Sequence, residues 1–484
     1  MTEPVRGLEP RALWNYFADL NAIPRASNEE QQAIEFARKF GEQLGLDTSV
    51  DATGNVIIRK PATAGMEDRV PVVLQSHLDM VHQKNSDSDF DFATEGIRMI
   101  VEGDWVRAEG TTLGADNGIG VGSILALLAA DNIPHPPLEA LLTIDEESGM
   151  TGAKGLQPGV LEGKILLNLD TEDDQELTIG CAGGKDLVLE GTCQDEPADG
   201  LVGRLLSLGG LQGGHSGIDI HLGLGNSNKL MNRILMGGAE KFGLRVSTIT
   251  GGGLRNVIPR ESTARVGIPT EMAAAFDQWY QEQTRKICNE YVATDPECRF
   301  QSEQVEVQSV IDLKTQASLL NCVDQCLHGI HKMCPAIVDL VQSSNNLARV
   351  VVGDGKFSIA SLVRSNLDVE RDELAESISE LFRTTGGQVE SPGSYPGWEP
   401  TPESAIVKLM TGIYEQMFGE KPQVLACHAG LECGLLSKNF PGMQMISFGP
   451  NIRGAHSPDE TVQISSVQKF WSLLLNTLTQ IPAN

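Results

Sequence analysis

The chain has 484 residues and a net charge of −28. That length is more than one ordinary core can use, so two domains are expected, one able to interrupt the other. The acidic balance, with no basic stripe, excludes nucleic acid and anionic membranes as partners, and no apolar run reaches the roughly 18 residues of a membrane span. Residues 1–20 carry no leader-like segment and the nine cysteines are scattered, which together predict a cytoplasmic protein.

In chain order, Ser27-Asn28-Glu29-Glu30 reads as a capping box, and Ile34, Ala37, Gly41 and Leu44 follow at helical spacing, predicting a helix over 28–44. Strand-like apolar runs lie at 70–75, 138–144 and 164–169, with an Ala/Leu/Ile-rich helix at 118–130 between the first two. Strands alternating with helices predict an α/β sheet that is at least partly parallel. From about residue 187 strand-like pieces alternate with amphipathic helices at 272–291 and 370–383. A short internal echo runs through this region: Asn256-Val257-Ile258, a strand at 262–268 and a helix, then Asn346-Leu347, a strand at 356–363 and a helix. Two such halves would make one extended sheet with helices on one face. Residues 386–402, rich in Gly, Pro and Ser, read as a linker. Beyond them a helix at 405–418, a strand at 443–448 and a helix at 466–479 restore the α/β pattern. The expected organisation is an α/β domain built from 1–186 and 394–484, interrupted by an α+β domain at 187–393.

Charged and imidazole side chains collect where the expected strands stop: His77 and Asp79 after the first, Glu146 and Glu147 after the second, Asp170 after the third, His456 after the strand at 443–448. Sites in open α/β sheets form beyond the carboxyl ends of the strands. Asp116 adds a further carboxylate, from Gly114-Ala115-Asp116-Asn117-Gly118 just ahead of a helix. Zinc takes imidazole nitrogen and carboxylate oxygen, and two zinc ions about 3.5–4 Å apart share a bridging carboxylate. His77, Asp116, Glu147, Asp170 and His456, with Asp116 bridging, give each of two ions three protein ligands and leave an open position. Spacing alone leaves Glu146 and Glu147 as alternative ligands. Cys322, Cys326, His328, His331 and Cys334 also lie close together, but they lack the paired short spacing of a structural zinc site, and Cys322 and Cys326, in an apolar helical stretch with Leu319 and Leu320, read as small core hydrophobes.

Ser76-His77-Leu78-Asp79, Gly114-Ala115-Asp116-Asn117, Asp145-Glu146-Glu147 and Ala455-His456-Ser457 together resemble the metallopeptidase family M20, across nearly the whole chain. Ile23-Pro24-Arg25-Ala26-Ser27 with Glu30 fits the same resemblance. Leu254-Arg255-Asn256-Val257-Ile258-Pro259-Arg260 and His428-Ala429-Gly430-Leu431-Glu432-Cys433-Gly434 resemble its aminoacyl-histidine dipeptidase branch. The resemblance implies a dizinc exopeptidase-like catalytic domain with a mixed sheet, interrupted by an α+β lid and dimerisation domain. It implies one metal on His77, Asp116 and Asp170 and a second on Asp116, Glu147 and His456, with Zn²⁺ expected and Co²⁺ or Mn²⁺ able to substitute. Glu146 is then the general base, moving a proton from the attacking water to the leaving amine, and Asp79 fixes the tautomer of a ligand imidazole, His77. His215, in Gly213-Gly214-His215-Ser216-Gly217, resembles a lid histidine that donates to the oxyanion, supplied in some relatives by the partner subunit. Arg364 resembles the lid arginine that holds the substrate's C-terminal carboxylate. Asn256, Asn346 and the Gly430-Leu431-Glu432 loop are secondary pocket candidates. The implied activity is hydrolysis of Xaa-His and other unblocked dipeptides, including β-alanyl-histidine and cysteinyl-glycine, by a homodimer. The rival within the family is an amidohydrolase of N-acyl amino acids or tripeptides. A metal-binding protein without catalysis is disfavoured by the presence of both Glu146 and Asp79.

Overall fold

Three of the apolar runs lack polar alternation, the pattern of strands covered on both faces. Val72–His77, Leu138–Thr143 and Ile165–Asn168 are buried along their whole length in the computed structural model, which describes residues 3–86, 88–335 and 337–484. With Gln444–Ser447 they run parallel at the centre of an eight-stranded sheet. Asp47–Val50, Val56–Lys60 and Glu176–Cys181 join it antiparallel, so the sheet is mixed. Gln423–Cys427 closes one edge.

The helix Ala115–Ala129 is apolar almost all round and accordingly buried almost all round. It packs against Arg11–Leu20 at short range because Gly118 and Gly122 carry no side chain there. A Cβ at Gly122 would lie 2.9 Å from the Leu13 carbonyl oxygen, and one at Gly118 would lie 2.8 Å from Phe17 Cε2. A small antiparallel sheet of Met99–Glu102, Trp105–Ala108, Thr461–Gln463 and Ile452–Arg453 brings the late segment 452–463 to the early one.

These elements belong to one compact unit, formed by the chain up to Gly180 with Trp398–Ala426 and Leu431–Asn484. The second unit is Cys181–Gly397 with Cys427–Gly430. Its ten-stranded sheet is antiparallel throughout and includes the long strands Val341–Gly353, Lys356–Ser365 and Gly183–Thr192. Ser262–Pro269 and Lys356–Ser365, the two strands of the internal echo, each precede a helix, Ala273–Glu290 and Asp368–Arg383. Those helices share one hydrophobic core with the sheet through Phe276, Ile287, Ala375, Ile378 and Phe382.

Two local expectations fail. No capping box forms at 27–30: the helix starts at Gln31, the Glu30 side chain accepts the Asn28 and Asp145 amides at 3.0 and 2.9 Å rather than capping the helix, and Asn28 takes a φ of 67°. Ser27 Oγ instead donates to Asp79 Oδ2 at 2.7 Å, so a tertiary bond displaces the local one. Nor is 386–402 a free linker. Gln388–Glu390 and Ser394–Tyr395 pair with Gly183–Thr192, and the Gly and Pro residues turn the chain between these short edge strands. No helix among the described residues is long and apolar enough to cross a membrane.

Two substitutions test this packing. Gly122→Val forces a branched side chain into the helix contact and is expected to cost about 1–3 kcal/mol of unfolding free energy. Gly412 is exposed inside the helix Ala405–Phe418 with nothing near its Cβ position, so Gly412→Ala is expected to gain roughly 0.5–1 kcal/mol. Urea midpoints at constant slope check both.

Candidate metal centre

The carboxyl ends of the parallel strands converge on one cluster. His77 is the last residue of Val72–His77, and Glu146, Glu147 and Asp170 lie just past Leu138–Thr143 and Ile165–Asn168. His456 arrives from the loop between Ile452–Arg453 and Thr461–Gln463. His77 Nε2 lies 3.1 Å from Asp116 Oδ1 and 3.3 Å from Asp170 Oδ1. His456 Nε2 lies 3.3 Å from Asp116 Oδ2 and 2.8 Å from Glu147 Oε2. The two oxygens of Asp116 therefore face different histidines, the arrangement of a carboxylate shared by two ions. The donor atoms of His77, Asp116 and Asp170, and those of Asp116, Glu147 and His456, lie within 4.8 Å of one another in each group. Neither group includes Glu146, the alternative that spacing left open.

The donor set fits divalent cations. Donors about 2.0–2.2 Å from a tetrahedral ion stand roughly 3.3–3.6 Å from each other, close to the separations here. Glu147 Oε1 is buried with no hydrogen-bond partner, a lone pair with nothing to satisfy it. Burial first, then mutual repulsion with neighbouring carboxylates, pushes the Asp170 and Glu147 carboxyls above their usual range and Glu172 up to about 8. Hydrogen bonds to Asp116 and Glu147 hold the His456 imidazole up at about 11. Protons here do what a metal's charge does better.

The surrounding bonds fix the ligands. Asp79 Oδ1 sits 3.3 Å from His77 Nδ1 and also accepts the Glu146 amide at 3.1 Å, while Oδ2 accepts the Glu147 amide at 3.2 Å. One carboxylate thus ties the imidazole to the backbone of the two glutamates. Asn117 Nδ2 donates to Leu169 O at 2.7 Å and to the Asp170 carboxylate. Glu146 is partly exposed, and its carboxyl is raised by burial and by Asp170, Glu432 and Glu147, against the pull of His77.

In the second unit Arg364, 3% exposed, donates to Tyr395 Oη at 2.8 Å and to Ser216 Oγ at 3.3 Å. His215 Nδ1 accepts the Gly217 and Ile218 amides at 3.2 and 3.0 Å, which leaves the ring proton on Nε2. Burial and the Arg364 charge depress its pKa to about 4, so the ring is a neutral donor. Asn346 is buried and donates to Arg255 O and Val257 O, a turn-holding role, while Asn256 is exposed. Glu432 is fully buried and accepts from Gln75 Nε2 and Thr143 Oγ1, both at 2.6 Å. Cys322 and Cys326 lie in the hydrophobic core, and they join no ligand group among the described residues.

A model of peptidase family M20/M25/M40 matches residues 73–480. The chain belongs to that family. It is similar to a protein of Escherichia coli named cytosol non-specific dipeptidase, with 41% identity over 479 residues, 98% of this chain and 99% of the relative. It is also similar to the crystal structure of aminoacylhistidine dipeptidase from Vibrio alginolyticus, with a TM-score of 0.92, 40% identity and 100% of both chains covered. The aminopeptidase PepT of Bacillus cereus shares the fold at a TM-score of 0.56 and 16% identity, over 98% of this chain and 99% of that one. The fold class is the M20 one, an α/β catalytic domain with a mixed sheet interrupted by a lid domain.

In the sequence of this M20 chain Glu460 carries no signal, and Arg25 stands only within the family-like segment 23–27, yet these two residues hold the Asp116 loop. Glu460 Oε2 accepts the Leu113 and Gly114 amides at 2.7 and 2.9 Å, and Oε1 accepts those of Ala115 and Asp116 at 2.7 and 3.3 Å. Arg25 Nη2 donates to Gly114 O at 2.6 Å from the other side. Gly114 itself has a φ of 70°, and a Cβ there would run into Arg25 and Met80. Glu460→Gln sets an NH₂ against two backbone donors. It is expected to weaken Zn²⁺ binding roughly 10–100-fold, measured by chelator competition, with the far-ultraviolet circular dichroism unchanged. Unaltered affinity would mean the loop keeps its place without the carboxylate.

Proposed function

We propose that the chain hydrolyses unblocked dipeptides, Xaa-His and β-alanyl-histidine among them, with Glu146 as general base beside two divalent ions. That it is a metallo-dipeptidase rests on its membership of the peptidase family and on its identity to the Escherichia coli and Vibrio alginolyticus dipeptidases over nearly their whole length. The finer reading is carried by one observation: Asp116 divides its two oxygens between the His77 and His456 groups, and Glu146 stands next to them while belonging to neither.

In this reading His77, Asp116 and Asp170 hold one ion and Asp116, Glu147 and His456 hold the other, Zn²⁺ being the expected metal. The ions would polarise the scissile carbonyl and lower the pKa of water at the site toward neutrality. Glu146 takes the proton of the attacking water and delivers it to the leaving amine; its backbone is held by Asp79, so the carboxylate turns on a fixed pivot. Asp79 keeps the His77 proton on Nδ1 and Nε2 free to bind. His215 offers Nε2–H to the developing oxyanion. Arg364 receives the peptide's C-terminal carboxylate, its guanidinium already aimed by Tyr395 and Ser216. Arg364 favours a free carboxylate and the acidic groups around the metals favour a free amine, which together favour dipeptides over N-acyl amino acids. The histidine preference is supported only by the Vibrio alginolyticus relative's name, and cysteinyl-glycine is a further candidate substrate. A cytoplasmic homodimer completes the proposal, the location supported by the Escherichia coli relative's name and the assembly by family resemblance.

Chelator-treated protein is expected to lose activity toward Ala-His and β-Ala-His and to regain it with Zn²⁺, Co²⁺ or Mn²⁺, while N-acetyl-histidine is not cut. Cleavage of N-acetyl-histidine with the dipeptides untouched would move the chain to the amidohydrolase reading. Glu146→Gln is expected to lower kcat roughly 10²–10⁴-fold with both metals retained by elemental analysis. Arg364→Met is expected to raise KM about 10–100-fold through loss of a charged hydrogen bond, with a much smaller effect on kcat. An unchanged KM would remove Arg364 from the substrate site.

A further inference from the structure

We infer that Cys288 and Cys298 form a reversible intramolecular disulfide when the protein meets a peroxide. Nothing in the peptidase reading uses either residue. Their sulfurs stand 3.0 Å apart as free thiols. Cys288 lies in the last turn of Ala273–Glu290, and Cys298 immediately precedes the edge strand Arg299–Gln304.

The connecting turn is held in place rather than left to wander. Asp295, fully buried, accepts the Gln212 amide at 2.8 Å, the Gly225 amide at 2.9 Å and Thr294 Oγ1 at 2.9 Å. Its own carbonyl accepts the Cys298 amide at 3.0 Å. The backbone therefore presents Cys298 to Cys288, and the remaining closure to an S–S bond of about 2.05 Å needs a shift of only about 1 Å in two side chains.

Access favours Cys288 as the residue attacked first. It lines an open cavity of about 570 Å³ together with Arg204, Gln281, Arg285 and Arg299. Burial, with the neighbouring Cys288, pushes the Cys298 thiol up to about 12, so it waits as the protonated resolving partner. Cys322 and Cys326, by contrast, are enclosed in the core of the same unit.

The chemistry balances with peroxide as the oxidant. The Cys288 thiolate attacks one peroxide oxygen, the O–O bond breaks, and hydroxide leaves, giving a sulfenic acid. The Cys298 sulfur then attacks the Cys288 sulfur, the S–O bond breaks, and its thiol proton leaves with the hydroxyl as water. Two thiols lose two electrons and two protons; hydrogen peroxide gains them and becomes two waters. The product joins the end of a helix to the edge strand of the ten-stranded sheet, and a dithiol reductant reverses it.

The test uses the metal-loaded full chain, treated with an equimolar amount of hydrogen peroxide, alkylated after denaturation and digested for mass spectrometry. The expected result is a linked pair of peptides carrying Cys288 and Cys298, lighter by two hydrogens, lost on treatment with dithiothreitol, with Cys322 and Cys326 still fully alkylated. The Cys298→Ser variant removes the resolving thiol, so dimedone labelling of Cys288 is expected to rise several-fold over the wild type, while dipeptidase activity reports that the variant is folded. Three outcomes overturn the inference: Cys288 still alkylating as a thiol after peroxide, Cys288 pairing with another cysteine, or Cys288 reaching sulfinic acid in the wild type while Cys298 remains free.

Discussion

A buried guanidinium and a buried carboxylate grip the two sides of one short loop. Arg25 donates to the carbonyl of Gly114 and also to those of Leu78 and Asp79, while Glu460 collects the four amides from Leu113 to Asp116. Burial lowers the Arg25 pKa to about 10, still well above neutrality, because Glu460, Asp79, Asp116 and Glu147 surround it with negative charge. Burying two charges is expensive unless their bonds are supplied from within the protein: Glu460 accepts four amides, and the two terminal nitrogens of Arg25 donate to four oxygens while its Nε has no partner. What the arrangement fixes is the position of Asp116 relative to His77 and His456, on which the sharing of its two oxygens depends. A shift of 1 Å in that carboxylate would separate one histidine group from the other.

The parts of the site that follow strand periodicity are legible in the sequence. His77, Glu147 and Asp170 end runs of consecutive apolar residues, and such runs can be recognised without a structure. Glu460 and Arg25 leave no such trace. Glu460 lies in Ser457-Pro458-Asp459-Glu460, which reads as a solvated turn, and its partners are more than three hundred positions away. Tyr395 is hidden for the opposite reason: its surroundings are so rich in Gly and Pro that they suggest a linker, although the segment pairs with Gly183–Thr192 and aims Arg364. The stretch Cys427–Gly430 belongs with the second unit because its backbone bonds there, Ala182 donating to Cys427 O and Ala429 O. Local sequence carries no information about that choice.

The second unit shows how a long antiparallel sheet can present polar groups from a buried surface. Ser343, Ser344, Asn345 and Asn346 are consecutive and all buried on one strand. Ser344 bonds with His428, Asn345 donates to Leu327 O, and Asn346 donates to Arg255 O and Val257 O. His428 is depressed to about 3 by burial and by Arg364, so it stays neutral beside that guanidinium. The histidine thus adds no second positive charge beside Arg364, which helps an arginine if it is to attract a carboxylate.

The candidate ligands of the cluster run from His77 to His456, with the whole of the second unit threaded between Asp170 and His456. A growing chain therefore carries an incomplete set of donors through most of its synthesis. It can present His77, Asp116 and Asp170 early, but neither the second histidine nor the Glu460 grip exists until the chain has returned from the second unit. The donor set is thus complete only once residues 456–460 have been made, and a chain that ends before them lacks it.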